Sequence, residues 1–512
     1  MSSTTKSTRK WAPKGKGGCS TCKSRHIRCD DQHPRCTPCQ KSSRQCEYSA
    51  NPNPDPLKIV HWQPTNSLVL RQPSPNPSHT NDEARAFDFF RTRVAVTLGG
   101  FFDSSFWTQD VLQVAQQEDP IRHAIVALAS LSEGMLKRSQ DAVATVPGPL
   151  AIQQYSKAIS NLKGRMQGGN ESSAEVVLIT CALFICIEMF QNNHESALSQ
   201  MSSGVYVFYN WHSRQRSPRS IGHPKLAVQL EGIFGRLMLQ TILFVETQPA
   251  EWKFVAPEFT PVLPLVPSVF RAVDEARDYL NSCMCSLYHR VISAQLHGLG
   301  EQDVTADPTS QLGSDPLAEW SRSFRSFVFE EGIQLSPKEQ KAALLLEMQH
   351  MIASILAVAG PYSQETIFDR FEQDFSQTVA LASRLLTMSP AEAYESSLPT
   401  FDMGILPQLY FVASRCRHPS IRRQALHLLR QGPSQEGIWH REMLTNIAER
   451  LMCLEEMDCE GAQSSVDVPA SVRLSVINAK IDSARRIVTL HCCRQQSVDE
   501  GRTNVIHELV EY

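Results

Sequence analysis

The 512 residues suffice for two to four ordinary domains, and 42% apolar with 20% charged residues is the composition of a globular chain that can bury a sizeable core. No uninterrupted apolar run approaches the ~18 to 20 residues of a bilayer-spanning helix, and the polar, basic start lacks the apolar stretch of a secretion signal. Membrane insertion and secretion are not expected, and the chain is expected to stay inside the cell.

The net charge of −3 hides an uneven division. Residues 1–50 hold eleven Lys and Arg against Asp30, Asp31 and Glu47, a net +8, which leaves −11 for the rest. Such asymmetry predicts a basic arm that meets a polyanion. The arm begins with a basic tail over residues 1–18, where Lys6, Arg9, Lys10, Lys14 and Lys16 suit phosphate contacts, nuclear import or plain solvation.

Cysteine follows the same division: Cys19, Cys22, Cys29, Cys36, Cys39 and Cys46 occupy 28 positions, while the other nine are scattered. Inside a cell thiols stay reduced, so this density reads as a metal site, with zinc the expected metal. The spacing is C-x2-C-x6-C written twice. Two tetrahedral ions need eight coordination positions, and six sulfurs supply eight when two of them bridge. The repeat predicts a binuclear cluster with two Zn2+ held by all six cysteines, and six thiolates with two such ions reduce the arm from +8 to about +6.

With that spacing, residues 19–46 resemble the fungal Zn2Cys6 binuclear cluster of transcription regulators. The resemblance implies that Cys19 and Cys36 bridge, that Pro34 shapes the loop between the arms, and that the module binds double-stranded DNA at a CGG-like half-site. Between the ligands, Cys22-Lys23-Ser24-Arg25-His26-Ile27-Arg28-Cys29 places three cations and a histidine on one short helix, whose start Ser20 or Thr21 can cap. In such modules a short helix enters the major groove, where Arg or Lys donates two hydrogen bonds to guanine. Lys23, Arg25, His26 and Arg28 are the candidate DNA-binding residues, Arg25 first among them for base reading. His26 stands where the family often has a base-reading lysine. Lys41 and Arg44 of the second arm suit phosphate contacts.

Residues 47–82 read as a proline-rich linker, since Asn51-Pro-Asn-Pro-Asp-Pro56 is followed by Pro64, Pro73, Pro75 and Pro77. No coiled-coil heptads are visible there, which leaves binding as a monomer or homodimerisation through the later domain as open choices. From residue 83 the pattern is helical. Phe87, Phe90, Val94 and Leu98 recur at helix spacing, Asp119-Pro120 opens a second helix, and Val176 to Ile187 is apolar on every face, as a packed core helix is. Ser336-Pro-Lys-Glu339 predicts a capping box that opens a helix ending at Gly360-Pro361, and Ser389-Pro-Ala-Glu392 repeats the signal. The best strand candidate, Phe254 to Phe270, is broken by four prolines, and loops are expected at Ser213 to Pro224 and Gly298 to Pro316.

The expected fold is thus a small Zn2Cys6 binuclear cluster module followed by a large all-α helical domain over residues 83–495, with 496–512 as a C-terminal tail. Phe87 to Glu133, with Gly99-Gly-Phe-Phe-Asp103, and Pro399 to Pro407 through Cys416-Arg-His-Pro-Ser-Ile-Arg-Arg423 resemble the fungal-specific regulatory domain that often follows such clusters.

No phosphate-cradling loop, H-E-x-x-H or G-x-S-x-G motif occurs, His123, His289, His350 and His427 are isolated, and no catalytic residue is expected. Cys283, Cys285, Cys492 and Cys493 read as core or surface thiols, and the acidic patch Glu455, Glu456, Asp458 and Glu460 as a solvated helix end or a contact for transcription machinery. The resemblance implies a nuclear, sequence-specific regulator of RNA polymerase II genes, in control of a metabolic or secondary-metabolite gene cluster. A zinc-stapled adaptor that binds only protein is the alternative.

Overall fold

The computed structural model describes residues 18–48, 80–102, 105–140, 148–167, 174–215, 224–244, 265–296, 315–329, 334–360, 364–388, 398–457, 459, 461–494 and 504–512. The tail cations, nearly all of the linker, Asp103, the Ser389 capping box, Asp458, Glu460, the first part of the Phe254 to Phe270 candidate and most of both expected loops lie outside these residues. The chain forms two compact units, divided between Pro77 and Ser78.

The first unit contains two five-residue helices, α1 (Ser20–Ser24) and α2 (Thr37–Lys41), each followed by a loop that returns a cysteine. The second unit opens on α3 (Asn81–Phe89), whose start is fixed by a Thr80–Glu83 capping box. The expected Phe87 to Leu98 stripe exists, but Phe90–Val94 is wound as a π segment before α4 (Ala95–Leu98). After a second π segment, Phe106–Asp110, come α5 (Val111–Ala115), α6 (Asp119–Gln140), α7 (Pro149–Gln167), α8 (Ala174–Phe190), α9 (His194–Gln215), α10 (Pro224–Phe244), α11 (Val273–Leu296), α12 (Pro316–Phe329), α13 (Pro337–Ala359), α14 (Glu372–Thr387), α15 (Leu406–Arg415), α16 (Pro419–Gln431) and α17 (Arg441–Glu456). Helices near in sequence pack on one another: α6 on α7 and α8, α8 on α9, α10 between α9 and α11, and α15, α16 and α17 mutually. The apolar stretch of α8 is buried except at half-buried Val177 and Cys181, as a helix without a polar face must be for the most part. Leu226–Phe244 and Pro337–Ala359 are long and apolar enough to cross a bilayer, yet 61% of each is buried inside the fold, which makes them core helices. The Ser336–Glu339 box caps α13 reciprocally, and Gly360 closes it.

The all-α expectation needs correction at the C-terminal end. β3 (Leu474–Asp482), β4 (Ile487–Arg494) and β5 (Asn504–Glu511) form an antiparallel sheet in the order β3-β4-β5, and a two-stranded ribbon pairs β1 (Gln435–Glu436) with β2 (Trp439–His440). Part of what reads as a C-terminal tail is therefore the sheet's third strand. Its inner face meets α17, where Glu508 accepts from Arg450 at 2.7 and 2.9 Å.

The Pro399 to Pro407 stretch is a packing joint. Buried Asp402 pairs with Arg236 at 2.7 Å, and Leu406 N–H donates to Glu436 Oε2 at 2.8 Å. Gly404 is required there, because a Cβ would lie 1.9 Å from Glu436 Oε1. The acidic patch is not solvated throughout. Glu455 is 1% exposed and lies 2.7 Å from both Arg417 and Arg422, whose side chains are fully buried. It also accepts from Leu474 N–H, which ties α17 to β3. A carboxylate survives burial only with such partners.

A buried imidazole, His194, and a half-buried one, His440, make the unit acid-sensitive. Burial pulls His194 down to about 4, with His440 adding to it, and burial pulls His440 down to about 4 as well. Both titrate near 6.5 when unfolded, so the stability they contribute is complete above 6.5 and is lost as pH falls toward 4, on the order of 3 kcal/mol each. Glu436, pushed by burial up to about 7 against the N–H groups of Leu406, Ile405 and Gly404, tilts the opposite way. The measurement is therefore a difference: denaturant stability between pH 7 and pH 5 should fall less steeply in His440→Phe than in the native chain, and equal slopes would contradict this assignment.

Candidate metal centre

The 17-residue repeat in sequence is a repeat in structure. α1 starts at Cys19 and α2 at Cys36, their N-cap residues. Cys22 N–H donates to Cys19 Sγ at 3.3 Å, so the ligand itself caps α1. The expected caps do something else. Ser20 Oγ donates to Glu47 O at 2.6 Å and Thr21 Oγ1 to Gln45 O at 2.9 Å, which straps the end of the second arm onto the first helix. A hydroxyl one or two residues past the N-cap points away from the free N–H groups and takes an outside acceptor.

Each helix ends on the same device. Ile27 N–H returns to Cys22 O and His26 N–H to Lys23 O; Arg44 N–H returns to Cys39 O and Ser43 N–H to Gln40 O. His26 and Ser43 hold left-handed backbone, at φ 54° and 48°. These are paired Schellman turns built without glycine. The turns reverse the chain so that Cys29 and Cys46 come back toward the sulfurs on the helices.

The sulfurs converge. Cys19 Sγ lies 3.6 Å from Cys36 Sγ and 3.8 Å from Cys39 Sγ, Cys22 Sγ lies 3.6 and 3.7 Å from the same two, and Cys46 Sγ lies 3.7 Å from Cys36 Sγ. A tetrahedral zinc thiolate with ~2.3 Å bonds has edges of about 3.8 Å, so the donor set fits zinc in spacing as well as in chemistry. Cys29 stands within 4.8 Å of Cys36, with its sulfur 3.8 Å from the Tyr48 hydroxyl. Burial pushes the Cys22 thiol up to about 12 and Cys36 higher still, so these sulfurs become thiolates only with a cation among them. Burial also works against charge on Cys19, but the Cys22 N–H and thiol neighbours bring it to about 6.

A second layer, not foreseen from the sequence, closes the loop between the arms. Tyr48 O–H donates to Gln32 O at 3.0 Å, the Tyr48 and His33 ring centroids are 3.9 Å apart, and Asp30 accepts from Thr37 N–H at the start of α2. Hydrogen bonds from Thr37 hold the Asp30 carboxyl below the usual range against some burial. The sole sequence signal was an aromatic two residues after the last cysteine. His33-Pro34 is a cis peptide bond.

The cationic side chains divide. They do not share one helix as expected, because α1 ends at Ser24: Lys23 is exposed on its last turn, His26 in the left-handed turn after it and Arg28 beyond, with Ile27 between, and Lys41 and Arg44 are exposed on the second arm. Arg25 is half-buried and donates from Nη1 to Ser42 Oγ at 3.0 Å, which joins the C-cap residues of the two helices. In the second unit the Nε2 of half-buried His350 meets Leu317 O at 3.0 Å, and His427 is exposed and pairs with Gln431 at the surface.

Residues 17–54 match the fungal Zn(2)-Cys(6) binuclear cluster domain. Along nearly its whole length the chain is similar to the aspercryptin biosynthesis cluster-specific transcription regulator atnN of Emericella nidulans, 23% identical over 92% of this chain and 93% of that protein. Shorter stretches resemble the Zn(2)-C6 fungal-type transcription factor afumD of Aspergillus fumigatus, 26% identical over 23% of this chain and 32% of the relative, and adhesion and hyphal regulator 1 of Candida albicans, 31% identical over 17% and 15%. No solved structure gives a significant match.

Proposed function

We propose that this chain, a DNA-binding transcription regulator of the fungal Zn2Cys6 type, acts in the nucleus on the genes of a secondary-metabolite biosynthetic cluster. The similarity to a cluster-specific regulator over almost the full length supports the pathway class. The observation that carries DNA binding is the sulfur constellation at zinc-thiolate spacing with cations exposed on the turn it holds. Two zinc ions bound by those sulfurs supply the bonds that keep so small a module folded.

Cys19 and Cys36 are the bridging ligands, and Cys22, Cys29, Cys39 and Cys46 the terminal ones. In support, Cys36 Sγ contacts sulfurs of both arms, Cys22 on one side and Cys46 on the other, and Cys19 Sγ contacts both Cys36 and Cys39. Residues 19–46 are the DNA-reading domain, and the second unit, residues 78–512 with the sheet's third strand included, is the fungal-specific regulatory domain that receives signals or partners.

Lys23, Arg25, His26 and Arg28 form the DNA face. Arg25, anchored on Ser42, keeps further guanidinium N–H groups for base edges at a CGG-like half-site, and its anchoring lowers the entropy lost on contact. Arg25→Ala is expected to weaken specific binding about 5- to 150-fold, the 1 to 3 kcal/mol of a bidentate base contact, and to relax preference at one position. Lys23→Ala and Arg28→Ala should weaken all sequences alike and reduce the salt dependence by about one counterion each. Anisotropy titrations of the full chain across a panel of mutated duplexes check both. An Arg25→Ala protein with native affinity for every duplex is the outcome expected of an adaptor that binds only protein.

A further inference from the structure

We propose that the outer face of the C-terminal sheet carries a second, mononuclear metal site, formed by His491, Cys493 and His507, that takes a borderline transition-metal dication such as Zn2+. The sheet's pleat assigns the faces. Val488, Leu490 and Cys492 are buried, so His491 and Cys493 of β4 lie on the opposite face, where they are half-exposed. The β4–β5 register sets exposed His507 directly across from His491, and the two ring centroids are 4.6 Å apart at 83°. Cys493 pairs with Val505 one step outward on the same face.

Two ligands at i and i+2 of one strand and a third across from i on its antiparallel neighbour make a tripod. Neighbouring side chains on a sheet face stand ~4.5 to 5.5 Å apart across strands and ~6.5 to 7 Å along one, which three side chains can close on one ion. The donor set, two imidazole nitrogens and one thiolate, suits zinc, at ~2.0 to 2.1 Å for nitrogen and ~2.3 Å for sulfur, with a fourth position open. In this structure Cys493 Sγ donates weakly to Arg494 O at 3.5 Å and is not gathered with the two imidazoles, so binding requires its side chain to leave that contact for another rotamer. Val505 and Leu509, both exposed, flank the histidines with apolar surface. Cys492-Cys493 gives no ligand pattern in sequence because His507 belongs to a strand that sequence reading assigns to a tail.

The test uses the full chain with its binuclear cluster already filled. Titrated with further zinc, the native protein should take up a third equivalent. His491→Ala and His507→Gln should each weaken that third site by at least the ~10- to 100-fold that loss of even an outer-shell partner costs, and leave the first two equivalents unchanged. Cys493→Ser should weaken it as well. In the native chain, added zinc should protect Cys493 from alkylation while exposed Cys453 reacts at an unchanged rate. Equal melting of native and His507→Gln proteins before the third equivalent is added separates ligand loss from misfolding. Uptake that stops at two equivalents, a third equivalent undiminished when both histidines are replaced, or unprotected Cys493 would overturn the proposal.

Discussion

Cys36→Ser is expected to cost this protein its specific DNA binding altogether, with a larger effect than Cys29→Ser. The reason is position. Cys36 Sγ lies within 3.7 Å of sulfurs from both arms, and its residue caps α2, whereas Cys29 stands at the edge against Tyr48. Loss of the shared sulfur removes a ligand from both ions, and structural zinc contributes on the order of 10 to 16 kcal/mol per site to folding. The zinc held by the cluster should fall from two ions per chain to one or none, with uptake at the sheet site counted separately. Affinity for the preferred duplex should drop to that for random sequence, a loss of about 10³ or more. The helical unit has its own core and should keep its helix content. Anisotropy with metal analysis checks both, and a Cys36→Ser protein that retains two zincs and its sequence preference would remove Cys36 from the bridging role.

Glu455→Gln should destabilise the helical unit by about 3 to 5 kcal/mol, where Glu456→Gln should cost clearly less, about 1 to 2 kcal/mol. The two residues are adjacent, but their surroundings differ. Glu455 faces two guanidinium groups with no solvent access and accepts from Leu474 N–H, so its neutralisation leaves Arg422 buried beside an uncharged amide. Glu456 is 12% exposed and pairs with Arg423, which is largely exposed, and more loosely with buried Arg422 at 3.6 Å. Burial pushes Glu455 up, but Arg417 and Arg422 outweigh it and hold the carboxyl below its usual range. Its contribution is present above the unfolded glutamate pKa near 4.3 and is lost as pH falls through the lower folded value. Denaturant unfolding of both variants decides the matter, and equal, mild effects would mean that the network is merely tolerated.

What could be read in the sequence was what short range determines. The metal site is written in covalent spacing, C-x2-C-x6-C twice, and helix spacing needs only one element to be visible: the α8 run and the Ser336 capping box were legible for that reason. What long range determines was missed. Glu455 lies 38 residues from Arg417, so its burial has no local mark. The sheet escaped because its alternation is impure: the inner face of β5 carries Glu508, acceptable only against Arg450, and the outer face of β4 and β5 mixes histidine and cysteine with Val505 and Leu509. The sequence marks Arg25 as a base reader by its charge and its place between the ligands; its bond to Ser42 crosses between the arms and appears only once the repeat is folded.

Selection from randomised duplex by the full chain, run in parallel with zinc and with a chelator, bears most directly on the central claim that cysteine-bound zinc holds a cationic turn in shape to read DNA. The account predicts one short enriched motif in the zinc-loaded arm and none after chelation. No enrichment in either arm, or the same motif in both, would contradict it.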